Sequence, residues 1–322
     1  MVLSILLLFL AILLISKGSD YLTDSLIPLA KKLQTTSISL GLVLVSVAVS
    51  LPEIFVALSS GLQGFMTLSL GVVLGSIACN IALMTGLSAT IRPLKVTTHM
   101  ILRDGIFSVV VPILVLAVSS DGLISRLEGV SIFLLFIPYL ANVFLQERRI
   151  TLEEREVLQT HAEEKLRLIG WQNLKLSPGW VTFVLGLFGV LLGSQIFTTQ
   201  LISLAQRSFA DELFLGLTLG ALGPSLPNII SSYKATVRGL TEVAVSETLG
   251  SNIFTLLVTL GLLAISRPVI VSAQWLALDI PLLILISILL FIFMVTKRTI
   301  SRVEGVLLIL VYLLILALPL LV

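Results

Sequence analysis

The chain has little charge, little aromatic surface and almost no thiol or imidazole. Of its 322 residues 12% are charged and 7% aromatic, with one cysteine and two histidines. Soluble domains carry about 25% charged residues, so a water-soluble globule is excluded. A hydrophobic share of 57% and a mean hydropathy of +1.13 put most of the surface in lipid. Cys79 alone cannot form an intrachain disulfide. His99 and His161 both fall in expected loops, without a His-Glu-x-x-His or Ser-His pattern. That removes zinc hydrolysis and histidine-activated nucleophiles, so the sequence is not read as an enzyme. No Walker A sequence occurs, and no cofactor is expected. A net charge of +2, with basic residues between apolar runs, gives no footing for nucleic acid.

What the chain does contain is a duplication. "SLPE" at Ser50–Glu53 returns as "SLPN" at Ser225–Asn228. Leu74–Ser76 returns at Leu249–Ser251, Arg92-Pro93 at Arg267-Pro268, Asp104 as Asp279, and Gly18-Ser19 as Gly193-Ser194. Each return comes 175 residues later. "ISRLEG" at 124–129 and "ISRVEG" at 300–305 follow at 176. One offset held so long marks two homologous halves, 1–145 and 178–322, joined by a charged loop at 146–177.

Each half carries five apolar stretches. They lie near 2–30, 37–61, 66–89, 102–119 and 127–146, then 178–205, 212–233, 241–264, 274–296 and 303–321. About 20 apolar residues cross a bilayer. The first run is uncharged from Val2 to Ser16 and no cleavage-type motif follows it, so it is expected to remain a span. The expected fold is an all-α membrane protein, ten transmembrane helices as two inverted five-helix repeats. Inversion follows from the odd number of spans in each half. With the N-terminus outside, sixteen Lys and Arg fall in inside loops and only Arg126, Arg207 and Arg267 outside. That is a positive-inside bias. Both termini are therefore expected outside and the 146–177 loop in the cytoplasm. In that loop Thr151 and Glu154 have capping-box spacing, which predicts a short amphipathic helix on the inner surface.

The segment "VSLPEIFVALSSG", Val49–Gly61, sets Pro52 and Glu53 inside an apolar span. Proline has no amide hydrogen for its helix and leaves a backbone oxygen free. Freed carbonyls at membrane depth need surrounding protein or a wet cavity. Pro227, with Pro224 nearby, repeats this in the second half. Inverted repeats with irregular helices hold transported substrates near the midplane. Ser50 and Glu53 share a helix face at i and i+3, as do Ser225 and Asn228. Ser76 and Asn80 stand at i and i+4, and Glu247, Ser251 and Thr255 form a stripe at i, i+4 and i+8. These side chains offer oxygen, which suits hard cations such as Na⁺ or Ca²⁺. Acids inside spans are functional by default. Asp104 and Asp279, at helix starts on opposite sides, are read instead as caps or ion pairs.

"SLPEIFVALSSG…LGSIACN" and "GALGPSLPNIISS…LGSNIFT" resemble the two α-repeats of the sodium/calcium exchanger family, within the cation/calcium antiporter superfamily. The resemblance runs over nearly the whole chain and identifies a prokaryotic-type ten-span member. It implies ligand roles for Ser50, Glu53, Ser76 and Asn80 in the first repeat and Ser225, Asn228 and Ser251 in the second. The second repeat is divergent. Asn228 stands where the family usually has its second glutamate, and Thr255 where many members have aspartate or asparagine. Val49 and Pro224 replace threonines, and Ile77 an asparagine. Glu247 stands where asparagine is common, with Val72 at the matching place in the first half, and is read as a relocated carboxylate.

The sequence is therefore read as a secondary active cation antiporter working by alternating access at a midplane oxygen site. Its partners are inorganic cations, Ca²⁺ and Na⁺ or H⁺, and the lipid bilayer, with no obligatory protein partner. A prokaryotic plasma membrane suits so compact a chain. Two alternatives stay open: a proton-coupled or monovalent-cation exchanger of altered stoichiometry, and an ion-binding membrane protein that does not transport.

Overall fold

An apolar chain in lipid satisfies its backbone most simply by winding into helices. The computed structural model describes residues 2–32, 38–147, 179–207 and 211–321, and these are helical apart from turns and four two-residue strands. The helices are α1 (Val2–Lys32), α2 (Ile38–Leu62), α3 (Met66–Ile91) and α4 (Thr98–Asp121). Next comes α5, in two pieces, Arg126–Leu134 and Phe136–Glu147. Then follow α6 (Trp180–Arg207), α7 (Glu212–Val237), α8 (Thr241–Ser266), α9 (Trp275–Lys297) and α10 (Arg302–Leu321). Among the described residues seven of them are long and apolar enough to cross a membrane: α1, α3, α4, α6, α7, α8 and α9. The expected helical amphipathic segment between Gln146 and Pro178 falls almost wholly outside the described residues.

Burial sorts these helices. The apolar windows of α3 and α8 are 89% and 83% buried, against 22% for α1 and 33% for α4 and α9. So α3 and α8 form the centre, and the others turn an apolar face outward. Leu3, Phe9, Phe188, Leu285 and Leu310 lie on that outer face, each more than half exposed. Close packing at the centre depends on missing side chains. A Cβ on Gly71 of α3 would stand 2.6 Å from the Leu213 carbonyl oxygen and 2.9 Å from the Gly216 Cα of α7. On the periphery, α1 and α6 meet in the same way. A Cβ on Gly18 would lie 2.6 Å from the Val190 nitrogen and 2.8 Å from the Gly186 oxygen. Small residues at such crossings let membrane helices touch backbone to backbone.

Two short antiparallel pairings tie the helix ends. Strand β1 (Leu94–Lys95) pairs with β4 (Thr299–Ile300), and β2 (Leu123–Ile124) with β3 (Val269–Ile270). The register matches Leu94 with Ile300 and Ile124 with Val269. Adding 175 to β1 gives β3, and subtracting 176, the offset that holds from Ile124 onward, takes β4 to β2. Each pair thus joins one half to the other.

The prolines Pro52, Pro224 and Pro227 lie inside helices α2 and α7, which run on through them. The structure adds a set of π-turns that the sequence reading did not foresee: Cys79–Met84 in α3, Ile101–Gly105 in α4, Gly216–Gly220 in α7, Thr255–Thr259 in α8 and Trp275–Asp279 in α9. Lys234, assigned by sequence to a loop, sits half-buried inside α7, because that helix runs on to Val237. Asp104 makes the expected ion pair, a bidentate contact with Arg103 at 2.7 Å through both oxygens, and also accepts from the Tyr139 hydroxyl at 3.2 Å. Asp279 does neither of the things read for it. It precedes the α-helical part of α9 without a capping bond, and its Oδ2 makes no hydrogen bond.

Candidate cation site

Nine side chains were singled out by sequence as oxygen ligands, and the structure buries every one. Ser50, Glu53, Ser76, Asn80, Ser225, Asn228, Glu247, Ser251 and Thr255 are each no more than 1% exposed. They come from the middle of α2, α3, α7 and α8, the helices that pack most closely at the centre.

Glu53 is the hub. The Ser225 hydroxyl donates to its Oε1 at 2.6 Å and the Asn228 amide to the same oxygen at 3.0 Å. The Thr255 hydroxyl donates to Oε2 at 3.3 Å. All three donors belong to the opposite half of the chain. Such charge-assisted bonds are about twice as strong as neutral ones, and an intramembrane carboxylate needs them. Beside this lies a second, neutral group. Ser50 and Ser251 share a hydrogen bond at 3.0 Å, and the Asn80 amide donates to Ser251 Oγ at 3.2 Å.

Asn80 and Thr255 both sit in π-turns, at places 175 residues apart. A π-turn widens the helix and commonly marks a functional site. Here it delivers the two side chains that reach across to Ser251 and Glu53. Apolar periodicity carries no warning of it.

Glu247 is held elsewhere. Its Oε2 accepts from the Ser231 hydroxyl at 3.2 Å, one turn of α7 beyond Asn228. The sequence stripe Glu247, Ser251, Thr255 is real as a helix face of α8, but its members serve different partners. Sequence reasoning missed Ser231. It also missed Asn252, which is 2% exposed and has both amide atoms without a hydrogen bond. The first half has Ile77 at the matching position, so the pair comparison alone hid it. Asp20 and Asp24 of α1 were missed as well. They are half-buried and within electrostatic reach of Lys234. Their signal was available, in the charges of "SKGSDYLTD" spaced along an apolar helix.

The site's chemistry follows from its donor set. Among the described residues no three His, Cys, Asp or Glu gather in one place, so neither a His/Cys cluster nor a multi-carboxylate one is present there. What gathers is oxygen. Ser76 Oγ, Asn80 Oδ1 and Asn228 Oδ1 are buried and make no hydrogen bond. Buried acceptors without a donor are costly, and a hard cation is the partner that satisfies several at once.

Comparison with known proteins gives the chain a family and a fold. Residues 3–145 and 178–321 match the family described as "Sodium/calcium exchanger protein". The chain is 28% identical to the sodium/calcium exchanger MaX1 of Methanosarcina acetivorans, over 95% of each chain. It is 29% identical to the inner membrane protein YrbG of Escherichia coli, over 90% of this chain and 88% of that one. Its fold matches a structure of the sodium-calcium exchanger NCX_Mj soaked with Na⁺ and Sr²⁺, with a TM-score of 0.70, 26% identity and 98% of both chains covered. Relatives named for their activity are transporters, not enzymes. A membrane-spanning helical fold, a buried oxygen site and a family match over both halves converge: the chain belongs to the sodium/calcium exchanger family of membrane cation exchangers.

Proposed function

We propose that this protein is a secondary antiporter that exchanges calcium for sodium or protons through the site around Glu53. The observation that carries the reading is that site itself. A buried carboxylate from one half is held by Ser225, Asn228 and Thr255 of the other, beside three buried oxygens that lack hydrogen-bond donors. A cation bound there takes Glu53 as its charged ligand. Ser50, Ser76, Asn80, Ser225, Asn228, Ser251 and Thr255 surround it as neutral ligands, with Glu247 one turn away. Because Ser225, Asn228 and Thr255, which donate to Glu53, come from the opposite half, releasing or binding a cation changes the contacts between the halves. Alternating access requires that coupling.

The same reading extends to topology. Ten spans in two inverted repeats of five, 1–145 and 178–322, put the loops carrying β1 and β4 on one face and those carrying β2 and β3 on the other. The strand pairings are compatible with this and support it. The face of β1 and β4 also gathers Arg92, Lys95, Arg298 and Arg302, which marks it as cytoplasmic. Both termini then lie outside, in a prokaryotic plasma membrane.

The test is flux. Purified protein in liposomes takes up ⁴⁵Ca²⁺ when a sodium or proton gradient is imposed, and Glu53→Gln abolishes uptake while the protein still folds. Unchanged uptake in Glu53→Gln sinks the assignment. Calcium binding without any uptake favours the non-transporting alternative, and sodium–proton exchange without calcium favours the monovalent one.

A further inference from the structure

The two helices that cross the site continue very differently beyond it. On α7, Ser225 and Asn228 bind Glu53, Ser231 binds Glu247, and Lys234 lies near Asp20 and Asp24 of α1. Successive residues are one turn apart and drift round the helix from α2 towards α1, with which α7 packs. Polar side chains at one-turn spacing therefore run along α7 from beside Glu53 to its end. The duplication offset defines the matching file beyond Glu53 on α2. There Ser231 becomes Val56 and Glu247 becomes Val72, both fully buried. Lys234 becomes Ser59 and Asp20 becomes Gln195, which meet in a neutral hydrogen bond of 3.0 Å. One approach carries Glu247 and then Lys234 with Asp20 and Asp24, and the matching positions on the other are valine and then a neutral pair.

We infer that Glu247, held by Ser231, determines the sidedness of exchange by passing cations between Glu53 and the face where α7 ends, and that the matching residues on the opposite approach, Val56 and Val72, do not. The inference rests on the exchanger reading and sharpens it. Membrane acids mark ion pathways because their insertion is otherwise unfavourable. A carboxylate one turn from the binding centre lowers the barrier for a dehydrating cation arriving from its own side. It acts on the approach and leaves the equilibrium affinity of the Glu53 site largely to Glu53. At the mouth of this file Asp20 and Asp24 stand with Lys17 and Lys234, so that entry on that face is sensitive to salt.

The experiment uses the full chain in vesicles of uniform orientation, with calcium presented to each face in turn. Glu247→Gln raises the half-saturating calcium concentration about tenfold on the face where α7 ends, and leaves it within about twofold on the other. Calorimetric calcium binding in detergent stays within about threefold of wild type for Glu247→Gln and is lost for Glu53→Gln. Ser231→Ala, a smaller change, shifts the same face in the same direction. Equal changes on both faces overturn the inference, and so does no change on either. Loss of equilibrium binding in Glu247→Gln also overturns it, by making Glu247 a ligand of the central cation. If the wild type in the same vesicles shows no exchange, the exchanger reading itself fails and this inference falls with it. Exchange in the wild type without a one-sided effect in the variants removes this inference alone.

Discussion

Glu53 and Asn228 occupy matching places in two Ser-Leu-Pro motifs, yet the hydrogen bonds around them follow charge and ignore the repeat. Ser225, Asn228 and Thr255 all turn towards Glu53. Of their counterparts Ser50, Glu53 and Asn80, only Glu53 meets Asn228. Ser50 and Asn80 settle on Ser251 instead. A duplicated backbone supplies two equivalent cradles. A single carboxylate then decides which cradle gathers the donors, because buried donors gain most by pointing at a charge. Divergence in one residue thus rearranges a whole shell.

That comparison breaks most sharply if the charge is moved. Glu53→Asn lowers calcium binding by about 100-fold or more, since the divalent ion loses its charged ligand and two unit charges of attraction act at that one place. Adding Asn228→Glu to the same chain returns part of the affinity, because the second motif offers the same helix face. Calorimetry on the single and double variants reads both numbers. A double variant no better than the single one shows that the two cradles are not interchangeable. The single change Asn228→Glu in an otherwise native chain strengthens calcium binding by about tenfold and sodium binding less, in proportion to charge.

Much of this was legible in the sequence. The apolar stretches fell on helices, and the nine oxygen-bearing side chains all proved buried at the crossing of α2, α3, α7 and α8. Helical spacing shows which residues share a face, and the offset shows which faces correspond. Neither shows which partner a side chain chooses. Ser231 was invisible as the partner of Glu247 because the contact joins two helices 16 residues apart in sequence, at a register only packing sets. The π-turns at Cys79–Met84 and Thr255–Thr259 were invisible because one extra residue in a turn leaves apolar periodicity nearly intact. Lys234 was misplaced since charge alone suggested a loop end, while the helix runs on with the lysine against α1.

Topology is the next point at which the halves can be separated. Cys79 is buried, so the native chain is silent to an impermeant thiol reagent. Ile270→Cys, at a position 77% exposed next to β2, labels in intact cells. Lys297→Cys, exposed at the end of α9 before β4, stays protected until the membrane is opened. The reverse pattern inverts the whole assignment, and labelling of both ends the inverted-repeat reading.

The smallest effect concerns Asp104 and Asp279, an aspartate kept in both halves with unlike surroundings. Asp104 has Arg103 and Tyr139. The positions matching these two partners are Leu278 and Ile315, and both line a small apolar pocket with Asp279, Leu74, Ala78 and Leu217. So the first aspartate sits in a satisfied network and the second has an oxygen without a hydrogen bond. Removing the first carboxylate takes a bidentate charged partner from an arginine whose side chain is 17% exposed. Asp104→Asn is therefore expected to cost about 2 kcal/mol and to lower the Tm in detergent. Asp279→Leu exchanges an acid for the residue type already around it. It is expected to be neutral, or to stabilise by up to about 1 kcal/mol, with calcium flux unchanged. Thermal melting of the two variants side by side measures the contrast. If Asp279→Leu instead abolishes flux while melting like wild type, the acid acts in transport and its apolar surroundings serve that role. If it melts as low as Asp104→Asn, the two aspartates are structural equals and the difference in their partners carries no energy.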